Sequence, residues 1–550
     1  MSARCIMVLG TTSGAGKSWL ATALCRHYAR QGLKVAPFKA QNMSNNARVV
    51  ASDSGQGEIG SAQYFQALAA RAVPEVRMNP LLLKPEADTH SQVVLLGQVN
   101  AALTTMPWRE RSQQVWPQIA AALDALRAEN DVVVIEGAGS PAEINLHDSD
   151  IVNMRVALHC HAACLLVTDI DRGGAFAHLY GTWALLPEPE RALIRGFVLN
   201  KFRGDAALLA PAPQMLQDLT GIPTVATLPM WWQHGLPEED GVFDDRSTAQ
   251  GVVNLTVAVI AYPRISNLDE FQPLKNIPGV RLMWVRSPAE LAGLQPTDWI
   301  ILPGSKATTA DLVWLRAQGL DAAVAHHAGQ GGAVLGVCGG FQMLGEALVD
   351  PHDINGNAPG LGLLPLVTVF DAFKTVRHTQ TRFVDDMCAD DLGGLRGDTL
   401  TLATAVGAQA GSLILSNAQK SAPGLSPNSL DHGSAGHHHP WRALAGVQFS
   451  GYEIHQGQTA QHPAMASAGD VAHAVLPGGL GWQNAAGNVL GIYLHGLFED
   501  PAALQALLGA RLNGPVPTLD AVFERMADFI ETRFELGVLD ALLVQAESYT

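Results

Sequence analysis

The sequence predicts an α/β protein made of two successive domains, each built around a parallel sheet. Short, almost uninterrupted apolar segments that end at Gly or a polar residue alternate with segments of helical periodicity. This alternation occurs twice, on either side of a stretch at 231–251 that is rich in Gly, Pro and acidic residues. Strands that are apolar on both faces are typical of parallel sheets that helices cover on both sides.

The composition excludes several classes of protein. The chain has 550 residues, 47% of them hydrophobic, which is long and apolar enough to bury large cores. Its net charge of −16 argues against sequence-independent binding of nucleic acid, which needs a surplus of Lys and Arg. Six cysteines are too few for a disulfide scaffold, and no apolar stretch reaches the ~20 residues that span a bilayer. We therefore expect a cytoplasmic protein that binds small molecules and neither nucleic acid nor a membrane; a homo-oligomer is compatible with this composition.

The first domain is predicted to cover residues 1–230. Buried strands are expected at 4–10, 34–38, 132–135, 164–168 and 196–199, and helices at 18–31, 62–72 and 118–128. Gly32 directly follows the first helical pattern and is a helix-stop signal.

The second domain is predicted to cover residues 252–550, after a linker at 231–251. Its strands are expected at 255–261, 280–285, 299–302 and 333–337. Residues 350–441 are less regular and are expected to be rich in strands and loops, with a flexible insertion near 415–440. A helical segment is expected at the C-terminal end of this domain.

A phosphate-binding loop lies between the first strand and the first helix. Residues 10–18 read GTTSGAGKS and match G-x-x-x-x-G-K-[ST] without a mismatch, in the strand–helix context that the motif requires. Backbone N–H groups of such a loop wrap a phosphate chain, Lys17 neutralises its β and γ oxygens, and the Ser18 hydroxyl is a Mg²⁺ ligand. The ATP-binding residues predicted here are Gly10, Thr11, Thr12, Gly14, Gly16, Lys17 and Ser18.

Mg²⁺ needs further oxygen ligands, and carboxylates at strand ends are well placed to provide them. Glu136 ends the apolar strand VVVIE, and Asp53 is a second candidate with Glu58 as its rival. Asn200 ends another strand, where a nucleotide base could be recognised.

A candidate nucleophile, Cys338, stands in the segment GGAVLGVCGGFQMLG. The apolar run, the tight glycine turn and the following helical pattern predict a nucleophile exposed at a strand–helix bend. The helix N-terminus lowers the pKa of such a thiol, and the N–H after it can face an oxyanion.

A Cys nucleophile needs a base, which is usually His. His495 ends an apolar run in NVLGIYLHGLFED, and His455 in GYEIHQG is the competing candidate. The segment HCHAAC at 159–164 superficially suggests zinc, but it enters a buried strand, so core packing is the preferred interpretation.

Taken together, these motifs resemble the CobB/CobQ-type glutamine amidotransferases of the cobalamin pathway, over nearly the full length of the chain. The resemblance rests on GTTSGAGKS, PFKAQNMSNNA, GEIGSAQ, LPGSKAT, GVCGGFQMLG, GYEIHQGQT and YLHGLFED. It implies a P-loop domain similar to dethiobiotin synthetase, followed by a class I glutamine amidotransferase-like domain.

The resemblance also implies a reaction: amidation of carboxylates b, d, e and g of adenosylcobyrinic acid a,c-diamide to adenosylcobyric acid. ATP and glutamine would be consumed, with Mg²⁺ as cofactor, through an acyl phosphate and glutamine-derived ammonia. By resemblance, Cys338 is the glutaminase nucleophile and His495 its base. The other implied roles are oxyanion donation for Gly304 and Gly339, glutamine binding for Gln342, phosphate binding for Lys17, Mg²⁺ ligation for Ser18, Asp53 and Glu136, and contact with the substrate for Lys39, Gln41 and Asn42.

One departure from the amidotransferase pattern concerns the base. Many members carry Glu two residues after the His, whereas this position is Leu497, so His495 is expected to lack a carboxylate that orients it; Glu499 is no obvious substitute. Two alternative functions remain at this point: cobyrinic acid a,c-diamide synthase, and a partitioning-type P-loop ATPase with a degenerate amidotransferase-like domain. The segment QNMSNN at 41–46 favours amidation of carboxylates b, d, e and g over the diamide synthase reaction.

Overall fold

The computed structural model describes residues 2–52, 55–87, 89–232, 234–237, 251–387, 440–509 and 518–544. The chain folds into two compact units, of which the first comprises residues 1–239 and 517–550 and the second residues 240–516. Most of the predicted linker and the predicted insertion with its His residues lie outside the described residues.

The first unit contains a six-stranded parallel sheet with the strand order β12-β11-β10-β1-β9-β2. Its strands are β1 (Arg4–Gly10), β2 (Val35–Phe38), β3 (Gln41–Met43), β4 (Ala47–Ser52), β5 (Gly55–Gly60), β6 (Leu81–Ala87), β7 (His90–Leu95), β8 (Gln98–Val99), β9 (Val132–Glu136), β10 (Ala163–Asp169), β11 (Ile194–Phe202) and β12 (Thr224–Pro229). Strands β3, β6, β7 and β8 form a smaller sheet, and β4 pairs with β5 as a hairpin.

Helices alternate with these strands, as the apolar pattern predicts. They are α1 (Lys17–Arg30), α2 (Ser61–Ala69), α3 (Ala101–Thr105), α4 (Trp108–Glu129), α5 (Met154–Cys160), α6 (Ala175–Leu185), α7 (Glu188–Arg191) and α8 (Ala212–Thr220). The largest difference from the prediction is α4, which continues through Pro117 and begins ten residues before the expected helix at 118–128. No helix of the described chain is both long and apolar enough to cross a membrane.

The second unit contains a seven-stranded sheet with the order β15-β13-β16-β18-β25-β24-β23. Strand β24 pairs antiparallel with both of its neighbours, β25 and β23. The strands are β13 (Leu255–Ile260), β14 (Ile265–Ser266), β15 (Val280–Val285), β16 (Trp299–Leu302), β17 (Gly304–Ser305), β18 (Ala333–Val337), β19 (Ala347–Val349), β20 (Ala358–Pro359), β21 (Leu366–Arg382), β22 (Gln448–Gln461), β23 (His473–Leu476), β24 (Gly481–Gln483) and β25 (Val489–Ile492). The helices are α9 (Gln272–Lys275), α10 (Pro288–Leu291), α11 (Thr308–Ala317), α12 (Leu320–Gly329), α13 (Gly339–Leu344), α14 (Pro463–Ser467) and α15 (Pro501–Leu508).

Two smaller sheets complete the second unit. A four-stranded sheet, β20-β19-β21-β22, includes the long antiparallel hairpin of β21 and β22. Two residues each of β14 and β17 pair antiparallel. The predicted strand-rich character of residues 350–441 is confirmed where the structure describes them.

The C-terminal segment differs from the prediction, because it belongs to the first unit and not to the second. Helices α16 (Leu519–Glu531) and α17 (Val538–Ala541) follow the second unit in the chain. The apolar face of α16 lies in the same buried cluster as α1, and Arg26 of α1 pairs with Asp520 and Glu524. The amphipathic pattern predicts this helix, but a pattern cannot tell which of two exposed apolar faces the helix will cover.

We expect Phe523→Ala to destabilise the first unit by about 3–5 kcal/mol, because Phe523 is buried in the cluster shared with α1. Hydrogen exchange of the full-length protein should accelerate at amides of β1 and α1. Arg525→Ala, on the exposed face of the same helix, is the control and should leave exchange unchanged. Accelerated exchange confined to residues 251–509 would contradict this assignment.

Candidate functional site

The phosphate loop is shaped by its glycines and by the side chain of Lys17. Gly14 and Gly16 adopt positive φ angles of 72° and 99°, which a residue with a side chain adopts only at a cost. Lys17 contacts the loop itself, because its Nζ donates to the carbonyl oxygen of Thr12 at 3.0 Å; it also donates to the carbonyl oxygen of Gly139 at 3.1 Å. A cation enclosed by the loop is the arrangement that the sequence motif predicts for phosphate binding.

Asn200 supports the phosphate loop from a neighbouring strand. Its Nδ2 donates to the carbonyl oxygen of Ala15 at 2.9 Å, and its Oδ1 accepts the backbone N–H of Lys201. A Cβ atom at Gly16 would overlap the Asn200 amide, so Gly16 is needed at this contact. The side-chain amide of Asn200 is thus engaged by protein atoms, and its predicted contact with a base stays a prediction.

Glu136 is the centre of the polar network in the first unit. Its Oε1 accepts hydrogen bonds from Ser18 Oγ at 2.8 Å and from Lys39 Nζ at 2.7 Å, and its Oε2 accepts from Gln66 at 2.6 Å. The side chain is only 1% exposed. Burial opposes its ionisation, but the ammonium group of Lys39 and the hydrogen bonds outweigh that effect and lower the pKa of Glu136.

This donor set fits Mg²⁺. A hydroxyl and a carboxylate that lie within 2.8 Å of each other are the hard oxygen ligands that Mg²⁺ takes beside phosphate groups. Asp53 lies outside the described residues. Its rival Glu58 instead forms a buried ion pair with Lys84 at 2.7 Å.

The residues expected to face the substrate are partly joined to the same network. Lys39 contacts Glu136 directly, and Asn42 Nδ2 donates to Gln63, which reaches Glu136 in turn. Gln41 has a buried Oε1 for which the described residues supply no hydrogen-bond partner.

Cys338 occupies a strained bend between β18 and α13, as predicted, but it is only 4% exposed, so the predicted exposure of the nucleophile is wrong. Its φ of 52° and ψ of −108° are unusual for a residue with a side chain and are typical of a nucleophile at a strand–helix turn. A Cβ atom at Gly340 would overlap the carbonyl group of Leu302, which explains why glycine follows the bend. Sγ of Cys338 lies 3.6 Å from the carbonyl oxygen of Ile454.

His495 has a carboxylate partner, contrary to the sequence-based expectation. Its Nδ1 lies 2.8 Å from Oε1 of Glu270, and Oε2 of Glu270 accepts the backbone N–H of Gly496 at 3.0 Å. Both side chains are 1% exposed. Glu270 belongs to a 3₁₀ turn, Leu268–Phe271, that is 225 residues away in sequence, so no local spacing could have identified it.

The electrostatics of His495 favour the imidazolium. Burial opposes its charge, but Glu270 and the Cys338 sulfur outweigh burial and raise the pKa of His495 to about 10. Nε2 has no formed hydrogen bond among the described residues, and contacts of this kind often tighten only when substrate binds. His495 can therefore keep a proton for a leaving group beside Cys338.

His455, the competing base, is engaged on both sides of its ring. Nδ1 faces the carbonyl oxygen of Gly457 at 3.2 Å and Nε2 faces Oε2 of Glu453 at 3.1 Å. The ring stacks on Tyr493 at a centroid distance of 4.0 Å. Since both nitrogens already face acceptor oxygens, neither is available to take a proton from Cys338.

Gly304, Gly339 and Gln342 all lie around the Cys338 turn. A Cβ atom at Gly304 would come within 2.9 Å of His495 Cε1, and one at Gly339 within 2.8 Å of the Ser305 nitrogen. Gln342 is buried and donates to the carbonyl oxygen of Gln456 at 2.8 Å. Their contacts with an oxyanion and with glutamine stay predictions.

The HCHAAC segment is structural, as the sequence analysis preferred. Cys160 and Cys164 are buried in the core of the first unit, and His159 pairs with Asp124 on the surface. Within the described ranges, no three His, Cys, Asp or Glu side chains are grouped so as to hold a metal ion.

Comparison with known proteins finds both domain types. Residues 6–235 match the CobQ/CobB/MinD/ParA nucleotide binding domain, and residues 256–398 and 428–503 match the CobB/CobQ-like glutamine amidotransferase domain. A cobyric acid synthase of Albidiferax ferrireducens is 74% identical over 543 residues, which is 99% of this chain and 100% of the relative. That of Polaromonas naphthalenivorans is 69% identical over 543 residues, with 99% and 100% covered. That of Leptothrix cholodnii is 59% identical over 558 residues, with 98% and 97% covered.

We expect Glu270→Gln to reduce glutamine hydrolysis by about 10³-fold, because the neutral amide no longer stabilises the His495 imidazolium. The same change should lower the pKa of His495 and shift the pH dependence of Cys338 alkylation by iodoacetamide. Glu499→Gln is the control, since it removes a carboxylate four residues after His495. If Glu270→Gln leaves both measurements unchanged, Glu270 does not orient the base.

We expect Glu453 to make the second unit sensitive to acid. Burial opposes its charge, but His455, Arg377 and Thr379 outweigh burial and lower its pKa from 4.5 to about 2. The stabilisation is therefore present above pH 4.5 and is lost as the pH falls towards 2. Urea unfolding of wild type and Glu453→Gln should differ most at neutral pH and converge in acid; a constant difference would contradict this.

Proposed function

Because the chain belongs to the cobyric acid synthase family, we propose that it amidates carboxylates b, d, e and g of adenosylcobyrinic acid a,c-diamide to give adenosylcobyric acid. One observation supports this most directly. The same chain carries a phosphate loop with a buried carboxylate beside Ser18 and, in its other unit, a Cys338–His495–Glu270 constellation. An ATP site and a glutaminase site are the two functions that such a ligase needs.

The glutaminase reaction follows from the chemistry of the second unit. The Cys338 thiolate attacks the carboxamide carbon of glutamine, and the N–H groups of Gly304 and Gly339 face the oxyanion that develops. His495, charged and held by Glu270, donates its proton to the departing nitrogen, so that ammonia leaves. The same imidazole then activates water, which hydrolyses the thioester to glutamate and restores the thiolate.

The synthetase reaction follows from the first unit. A carboxylate is a poor acyl donor, because its oxygen is a poor leaving group. Transfer of the γ-phosphoryl group of ATP to the carboxylate makes an acyl phosphate, which ammonia can attack with loss of phosphate. Lys17 and Lys39 place positive charge where the phosphoryl group moves. Ser18 and Glu136 would hold Mg²⁺, which supplies further charge neutralisation when bound.

Joining the two reactions in one chain has a chemical reason. At neutral pH free ammonia is mostly ammonium, which is not a nucleophile. Ammonia that is released from glutamine and consumed at the acyl phosphate escapes this protonation. Local cations explain how a chain of net charge −16 accepts anionic substrates, since the field of the whole protein opposes them.

Replacing the nucleophile separates the two reactions. We expect Cys338→Ala to abolish glutamine-dependent turnover and to leave turnover with added ammonium salts, because the phosphate loop lies in the other unit. Cys388→Ala is the control, since it removes a thiol elsewhere in the chain. Equal loss of both activities in folded protein would disprove this division.

The substrate is tested by mass spectrometry of the corrinoid after incubation with ATP, Mg²⁺ and glutamine. Adenosylcobyrinic acid a,c-diamide should undergo four successive conversions of acid to amide. Cobyrinic acid, assayed in parallel, distinguishes the a,c-diamide synthase reaction. Absence of any amidated product from either corrinoid would disprove the proposed function.

A further inference from the structure

The segment that carries Gly304 lies directly against the candidate glutaminase site. A Cβ atom at Gly304 would meet His495 Cε1 at 2.9 Å and Ser266 Oγ at 2.7 Å. The neighbouring Ser305 nitrogen closely approaches Gly339. A small displacement of this segment would therefore move the Gly304 N–H relative to both Cys338 and His495.

Little regular structure holds this segment in place. Strand β17 comprises only Gly304 and Ser305, and it pairs with the two residues of β14. The hydroxyl of Tyr262 donates to the carbonyl oxygen of Pro303, and the Lys306 N–H donates to the carbonyl oxygen of Arg264. A ladder of two residues is too short to define its own position.

Asp311 joins strand β17 to the residue that precedes β14. It lies in the first turn of α11 and is 1% exposed. Its Oδ2 accepts a hydrogen bond from Ser305 Oγ at 2.6 Å, and its Oδ1 accepts the backbone N–H of Arg264 at 3.1 Å. Ser305 Oγ in turn accepts the N–H of Ala307 at 3.1 Å. The carboxylate thus binds Arg264, the residue before β14, with one oxygen and Ser305 of β17 with the other.

We propose that Asp311 is a positioning residue of the glutaminase reaction, which fixes the Gly304 N–H at the oxyanion by joining Ser305 of β17 to Arg264, the residue before β14. This inference rests on the proposed function. The need for two acceptor oxygens explains why a carboxylate stands here. An amide would offer a single acceptor oxygen in place of the two that bind the Ser305 hydroxyl and the Arg264 N–H.

Opposing effects act on the ionisation of the Asp311 carboxyl group. Burial raises its pKa to about 6, although the hydrogen bonds from Ser305 and Arg264 and the charge of the Arg264 guanidinium oppose that effect. Burial, and after it the charges of Asp311, Cys338 and Glu270, raise the pKa of Tyr262 well above its usual value. As the pH falls through about 6, Asp311 takes up a proton and one of its two acceptor sites is lost.

The test is Asp311→Asn in the full-length protein. We expect kcat/KM for release of glutamate from glutamine to fall by about 10- to 100-fold, less than the loss of an oxyanion donor, because Gly304 is displaced and not removed. The ammonia-dependent reaction and the rate of Cys338 alkylation should stay unchanged. Wild-type kcat/KM should also decline below pH ~6, and this decline should be absent in Asp311→Asn.

Two further variants sharpen the test. Ser305→Ala removes one of the two hydrogen bonds and should give a smaller loss than Asp311→Asn. Asp298→Asn is the matched control, because Asp298 is also buried and accepts the backbone N–H groups of Thr256 and Gln295 away from Cys338. It should leave kcat/KM for glutamine unchanged.

Three outcomes would overturn the proposal. Unchanged glutamine hydrolysis in folded Asp311→Asn would show that the link from Ser305 to Arg264 does not matter. An equal loss in Asp298→Asn would show that any buried Asp has this effect. Loss of Cys338 alkylation together with hydrolysis would show a general collapse of the site. A wild-type protein that releases no glutamate from glutamine would instead disprove the proposed function itself.

Discussion

The buried ion pair between His495 and Glu270 is the interaction on which the second unit depends. Both groups are out of contact with water, and a buried charge without its partner is strongly unfavourable. The turn that carries Glu270 and the strand end that carries His495 must therefore be in place together. Their pairing raises the pKa of the imidazole, and it leaves Nε2 for chemistry at Cys338. Strand β22 adds support, because Tyr452 stacks on the His495 ring.

In the first unit, Glu136 is the buried carboxylate that plays the corresponding role. It draws together the start of α1 through Ser18, the residue after β2 through Lys39, and α2 through Gln66. These groups come from three segments, and a single buried carboxylate orders them around the phosphate loop. In each unit, then, a buried carboxylate holds one cationic group that is proposed to act on substrate, Lys39 in the first and His495 in the second.

Prediction from the sequence succeeded where the physical requirement is local. The phosphate loop and the Cys338 bend need glycines at positive φ or at close backbone contacts, between a strand and a helix, and both requirements fall within ten residues. It failed where partners are distant. Glu270 was missed because the motif position after His495 is Leu497, and α16 was placed in the wrong unit because its apolar face fits more than one surface.

The sequence by itself determined the alternation of strands and helices and the two motif-bearing turns, and it proposes Lys17, Cys338 and His495 as functional residues. Their backbone conformations and chemistry follow from neighbours in the chain. Only the tertiary structure decided which carboxylate pairs with His495, that His455 is engaged on both ring nitrogens, and that Asp311 bonds both Ser305 and Arg264. Those pairings join residues far apart in the chain, and their strength comes from burial. Burial is a property of the folded unit, and no local pattern of residues specifies which distant group will supply the missing charge or acceptor.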